Sequence, residues 1–411
     1  MIFSERSSHI LKKMLPHFKN FKLYKRDKTT HKDLDAIFLE LYEHLHRANL
    51  HIQKLRRNYI PNIKKITDNS YKKPESYGGV FFPQEILKYI ETHKRYQLIY
   101  KGYINKRNIE IVFTSCVDID DKIIKMYNNC VNKIFVILEF LSQFSEKNCG
   151  KRLTLFFYFT EFKKRLPEDQ TKVLGPYEVN TGFTKQCAVN NEVVIYRKEE
   201  WFKVLIHELM HSFGLEFRPS YNIRNKMKEN FNIKSKFLIE ESYAEVWARI
   251  INCIFCSYFS LKNKRSKSNF LLNVKFTMEL ERGFSLFQCG KILSHMNLRF
   301  KDLMDPVNYK LIFRENSNIF SYYILGAIFM NNFPIFLKWC NNNIKHYKNN
   351  KERGNIIQFN AGDLAQEKFL ELILDQSNDA SFERNMNAIV NMILDNTDEI
   401  RNSLMMTIVE I

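Results

Sequence analysis

The 411-residue chain has few residues that interrupt regular structure, with only 12 glycines and 9 prolines. That scarcity excludes collagen-like and linker-rich architectures and leaves room for long helices. No uncharged apolar run reaches the length of about 18 residues or more that a bilayer requires. The most hydrophobic stretch, Val246 to Leu261, is interrupted by Arg249 and Asn252, so no membrane span is expected. The opening residues Met1-Ile2-Phe3-Ser4-Glu5-Arg6 carry no signal-peptide h-region, and the expectation is an intracellular protein, in a cytoplasm or a particle. Cysteine is sparse and scattered (Cys116, Cys130, Cys149, Cys187, Cys253, Cys256, Cys289, Cys340), and reduced thiols are expected throughout. The lone Cys253-Ile254-Phe255-Cys256 has no second ligand pair at an obvious spacing and reads as core packing, not a structural zinc site. Zinc-finger, RRM and helix-turn-helix signatures, internal repeats and long low-complexity tracts are all missing.

What is plentiful is basic charge and aromatic bulk. Lys and Arg number 63 against 45 Asp and Glu, a formal net charge of +18, and there are 35 Phe and 20 Tyr. Basic residues are dense in Lys12 to Lys28, Lys54 to Lys73, Arg218 to Lys236, Lys262 to Lys267 and His346 to Arg353. Such runs suit nucleic acid or an acidic protein substrate, but their dispersal reads mainly as solvated faces.

Against this background His207-Glu208-Leu209-Met210-His211 stands out. On a helix, H-E-x-x-H puts two imidazoles one turn apart on one face, with a carboxylate beside them. That set can hold one zinc ion and set Glu208 against a water molecule. About one chain in fifty of this length and composition would carry the string by accident, so its context has to decide. Val193 to Tyr196 reads as a strand, Lys198-Glu199-Glu200 as an acidic, solvated first turn, and Trp201, Phe202, Val204, Leu205, Leu209 and Phe213 as a buried helix face. Gly214 is a plausible stop.

Two histidines do not complete a tetrahedral site; a third protein ligand is needed. Downstream, Glu241 and Glu245 stand at i, i+4 among Leu238, Ile239, Tyr243, Val246, Trp247, Ile250 and Ile251, a helix packed into a core. An alternative third ligand is Glu216. The metzincin extension of the motif would put its ligand at Phe217, which cannot bind metal, so Glu216 ranks below Glu241.

H-E-x-x-H followed by Glu241-Ser242-Tyr243-Ala244-Glu245 resembles the gluzincin branch of zinc metallopeptidases, and the second motif is closest in style to the E-x-x-A-E helix of lethal-factor-like peptidases. The stretch Val179 to Phe217 is also similar to metallopeptidase-like proteins of large nucleocytoplasmic DNA viruses, a likeness extending to Glu315-Asn316-Ser317 and Phe320-Ser321-Tyr322-Tyr323. The resemblance implies a zincin-like core, one catalytic Zn2+ on His207, His211 and Glu241, Glu208 as general base, and Glu245 orienting a ligating histidine. Where lethal-factor-like enzymes have a tyrosine shortly before the ligand glutamate, this chain reads Ile233-Lys234-Ser235-Lys236. The oxyanion donor must then come from elsewhere; Tyr322, Tyr323 and His295 are candidates, Tyr322 foremost.

The fold class expected is α+β and mainly helical, with a small mixed sheet. A basic, mostly helical region spans 1–145, including a helix from Asp33 to about Tyr59, a turn at Gly78-Gly79 and a last helix from about Asp120 to Phe144. The catalytic core spans 146–260, with strands at Leu153 to Thr160 and Val193 to Tyr196, a zinc helix at about 198–214 and a third-ligand helix at about 237–260. A helical region, 261–411, completes the cleft. Arg218 to Lys236 reads as a basic connection at its rim. Tyr177 to Thr184 or Val193 to Tyr196 would offer a sheet edge to an extended peptide. The function expected is a zinc metallopeptidase acting on a peptide or protein substrate. The alternative is a catalytically silent binding or structural protein of the same fold, associating with nucleic acid through its basic surface.

Overall fold

Long helical periodicities and a few alternating apolar runs produce a mainly helical α+β protein with one six-stranded mixed sheet, seen in a computed structural model. The structure describes residues 5–18, 28–55, 60–67, 70–305, 313–344, 355–359, 362–394 and 398–410. The basic run 346–353, the end of the helix expected to reach Tyr59 and parts of the runs 12–28 and 54–73 lie outside these residues. The chain divides into a unit made of Leu41–Lys163 and Asn180–Leu215 and a unit made of Met1–Glu40, Lys164–Val179 and Glu216–Ile411.

The first, the sheet unit, contains every strand among the described residues: β1 (Asn62–Lys65), β2 (Tyr96–Ile104), β3 (Arg107–Ser115), β4 (Arg152–Thr160), β5 (Gly182–Thr184) and β6 (Asn190–Arg197). Their order is β1-β2-β3-β4-β6-β5; β3, β4 and β6 run parallel, and β1, β2 and β5 pair antiparallel with their neighbours. The inner strands are covered on both faces, which is why they are almost continuously apolar. Val112, Phe156, Tyr158, Val194 and Tyr196 meet Phe82, Ile86 and Ile90 at the helix Gln84–His93. On the opposite face Phe113 stacks on Phe157 and on Tyr127 of the helix Asp121–Ser142, and Phe157 meets Trp201 edge-on. Asp120 caps the Asp121 helix by accepting from the Ile123 amide at 2.7 Å.

Three expectations fail in this unit. Helices were expected to follow the Gly78-Gly79 turn up to residue 144, yet the β2–β3 hairpin occupies Tyr96–Ser115. Val193 to Tyr196 cannot offer a sheet edge, because β6 lies between β4 and β5; the edge on that side is β5. The cysteines are not all thiols either. Cys149 and Cys187 form a disulfide, brought together where β4 and β6 begin side by side and Gly150 donates to the Ala188 carbonyl at 2.8 Å. The other six are free, with Cys253 and Cys256 buried in core.

The second, the helical unit, is built on the helices Glu240–Phe259 and Lys267–His295, which pack together. Its C-terminal segment is buried against them. Asn252 donates to the Val409 carbonyl at 2.7 Å, Tyr323 to that of Leu404 at 2.7 Å, and Gln288 and Lys291 to those of Met405 and Ser403. Arg218 to Lys236 is not a plain connection: it folds into the helix Tyr221–Asn230, capped by Ser220. Among the described residues no single helix is long and apolar enough to cross a membrane, although the bent pair Phe320–Asn331 and Phe333–Asn343 has the length and composition together.

Candidate metal centre

The two histidines belong to the sheet unit. From β6 the chain turns tightly, Trp201 donating back to the Lys198 carbonyl at 3.3 Å, and enters the helix Trp201–Ser212 through Glu200 in a left-handed conformation (φ 57°). Glu199 and Glu200 are buried, 5% and 4% exposed, so the solvated acidic turn expected there is not found. The tightness of the turn tucks both side chains in. Gly214 (φ +63°) ends the helix: Leu215 donates to the Met210 carbonyl at 2.9 Å, the 6→1 bond of a Schellman stop. A side chain is doubly unwelcome at Gly214, since a Cβ would approach Cys149 Sγ to 3.1 Å. The Cys187 amide donates to the His211 carbonyl at 3.0 Å, so the disulfide fastens the histidine end of this helix.

Residues 202 to 212 of the helix are buried throughout, including His207, Glu208 and His211. The imidazoles, one turn apart and inclined at 80°, bring their Nε2 atoms to 3.1 Å. Two nitrogens bound to one zinc at about 2.0–2.1 Å in a tetrahedron are about 3.3 Å apart, so the pair fits a shared metal. The same distance also fits one imidazole donating a proton to the other. Glu208 lies within electrostatic reach of Tyr196. Burial, followed by this carboxylate, pushes the Tyr196 phenol above its ordinary range, and Arg197 opposes them.

Glu241 and Glu245 belong to the helical unit, one turn apart on the Glu240–Phe259 helix. Glu241 is half-buried, and its Oε2 accepts from the Tyr322 hydroxyl at 3.1 Å. Glu245 is 1% exposed and accepts from Arg249 Nε at 2.8 Å, a buried ion pair on one helix face. Arg249 also donates to Ser285 Oγ at 2.7 Å and reaches the Tyr322 carbonyl at 3.5 Å. Glu240 is pushed up to about 7 by burial, opposed by Arg224 and reinforced by Glu216 and Glu241. Glu216 is buried in the same acidic neighbourhood as Glu240. Phe217, at the metzincin position, is an aromatic core residue packed on Tyr243, Phe359 and Phe369.

The three oxyanion candidates separate. Tyr322 is on Glu241; Tyr323 is buried and donates its hydroxyl to the Leu404 carbonyl. His295 ends its helix near Asp169, Lys172 and Glu178, and burial lowers its pKa. Arg249 was not singled out in the sequence, though an arginine four residues after a buried glutamate on an apolar helix signals such a pair.

Compared with protein families, with curated proteins and with solved structures, the chain matches none.

Proposed function

We propose that the protein is a zinc metallopeptidase whose metal is held by His207, His211 and Glu241. What carries the reading is the convergence of the two buried Nε2 atoms to 3.1 Å on one helix face, with Glu208 at the next position in sequence. The donor set is chemically apt: two imidazoles and one carboxylate would leave a fourth position open, as a hydrolytic zinc site requires. Zinc held there supplies Lewis acidity and makes a water molecule acidic near neutral pH.

The remaining roles fall to side chains. Glu208 accepts a proton from the attacking water at its carboxylate and returns it to the leaving amide nitrogen. The Tyr322 hydroxyl donates to the oxygen that gains charge as the carbonyl becomes tetrahedral. Without substrate the same proton is given to Glu241 at 3.1 Å, so the hydroxyl must turn from that carboxylate to serve the oxyanion. Glu245, fixed by Arg249, orients a histidine as the resemblance implies. The substrate is a peptide or protein, and the net charge of +18 favours an acidic one.

The test is the isosteric variant Glu208→Gln, assayed on a peptide library beside the wild type. The expected result is cleavage by wild type, a loss of about a thousandfold or more in the variant, and zinc retained by both. Cleavage that survives the substitution removes Glu208 from the mechanism. A folded, zinc-loaded wild type that cleaves nothing supports the silent binding protein instead.

A further inference from the structure

Tyr322 lies in a six-residue π-helical turn, Phe320–Leu325, a form that is rare and recurs at functional sites. Nothing in residues 320–325 alone explains why the tyrosine is held over Glu241. The explanation lies a few residues earlier. The segment from Phe313 to Tyr322 is fastened at successive points to the segment leading into the Glu240–Phe259 helix. Phe313 bridges Ile233, Glu315 Oε1 accepts from Ser235 Oγ at 3.2 Å, and Asn318 Oδ1 accepts from the Leu238 amide at 3.1 Å. Ser321 Oγ then donates to the Leu238 carbonyl at 2.7 Å, and Tyr322 to Glu241. Phe320 wedges the two segments together against Phe231, Phe237 and Phe313.

Glu315 is the ionisable group among the ties that precede the Tyr322–Glu241 contact. It is 8% exposed, and its other oxygen, Oε2, accepts from the Phe320 amide at 3.0 Å. The Ile319 amide also hydrogen-bonds to it. These are amides at the start of the turn that carries Tyr322. One carboxylate thus ties that turn, at its first residues, to the lead-in of the Glu241 helix.

We propose that Glu315 is a positioning residue: by holding the Phe320 turn against Ser235 it sets the Tyr322 hydroxyl on Glu241, and through it the geometry of the third metal ligand. The last clause rests on the metallopeptidase reading; the positioning of Tyr322 does not. Burial raises the carboxyl to about 7, and the amide and hydroxyl donors oppose it, which marks a polar group retained in a dry clasp for its hydrogen bonds.

The experiment has two arms and uses the full chain. In the first, metal-free protein carries 3-fluorotyrosine at position 322, and its 19F resonance is compared in wild type, Glu241→Gln, Glu315→Gln and Ser235→Ala. Displacement of the resonance by Glu315→Gln, and in the same direction but less by Ser235→Ala, is the expected result. An unmoved resonance in folded Glu315→Gln overturns the proposal; should that variant not fold, an unmoved resonance in Ser235→Ala does so.

In the second arm zinc alone is titrated into Tyr322→Phe, Glu315→Gln and their double variant. Loss of an outer hydrogen bond to a ligand weakens metal binding by about tenfold or more. Each single variant is expected to lose that much and the double variant no more than either, because both act through one contact. Losses that multiply, or zinc binding by Glu315→Gln equal to wild type, overturn the link to the ligand. A wild type that takes up no zinc overturns the metallopeptidase reading and that link with it, while the fluorine arm still decides the positioning of Tyr322.

Discussion

At the scale of single residues, the energetics concentrate on buried charge. Arg249 and Glu245 are both essentially inaccessible, so each needs the other to offset its desolvation. Arg249→Ala is expected to cost about 3–5 kcal/mol by taking the cation away from the buried Glu245 carboxylate, whereas Arg249→Met with Glu245→Gln restores much of that. Urea denaturation of the three proteins checks it, and equal stability would mean that water reaches the pair. Glu315 adds a pH dependence. Its pKa is near 4.5 when the chain is unfolded and about 7 when folded, so the native state holds the extra proton between those values. Stability from this group is therefore complete below about pH 4.5 and lost as pH rises through 7, by about 3 kcal/mol at most. In Glu315→Gln that part of the slope should vanish, and the similar slope from Glu240 should remain. Melting temperature measured across pH 4 to 8 is the check, and an unchanged slope contradicts the assignment. That His207, Glu208 and His211 lie together on one buried helix was legible, because their spacing sets it. The contacts of Glu315 were not, although the resemblance reaches that residue, since they run to the backbone amides of Ile319 and Phe320 and to the distant hydroxyl of Ser235.

At the scale of elements, the histidine helix is tied at its end, through the hydrogen bond from the Cys187 amide to the His211 carbonyl, to a cross-linked residue. The Cys149–Cys187 disulfide, spanning 38 residues, is expected to contribute about 4 kcal/mol by restricting the unfolded chain. Replacing both cysteines by serine, or adding a dithiol, should lower the midpoint of denaturation accordingly; no change would mean the bond is unimportant to the fold. This pairing could not be read from eight scattered cysteines, because it depends on the register in which β4 lies beside β6. The β2–β3 hairpin was missed for a local reason. Its two-residue turn is Asn105-Lys106, with both residues at positive φ, and lysine in the second place masks the usual Asn-Gly signal. The flanking runs, rich in isoleucine and tyrosine, then gave no boundary. Long elements with unbroken periodicity were clear by contrast: Asp121–Ser142 begins at its Asp120 cap and Glu240–Phe259 runs close to its expected span.

At the scale of the molecule, the α+β class followed from the ratio of helical to strand-like runs, and the observed fold agrees. The connectivity did not follow. The sheet unit is drawn from Leu41–Lys163 and Asn180–Leu215, interrupted by Lys164–Val179, an exchange that no composition shift announces. Metal should tie function to stability, because a ligand that binds only the native state stabilises it. Zinc at a hundredfold excess over its dissociation constant adds about 2.7 kcal/mol, which a chelator should remove.

The most direct measurement is zinc per chain in protein purified without added metal, wild type beside Glu241→Ala. One zinc per wild-type chain, falling sharply in the variant, is the expected result. A folded wild type without zinc contradicts the account, and zinc retained in full by Glu241→Ala transfers the third position to another residue, Glu216 first.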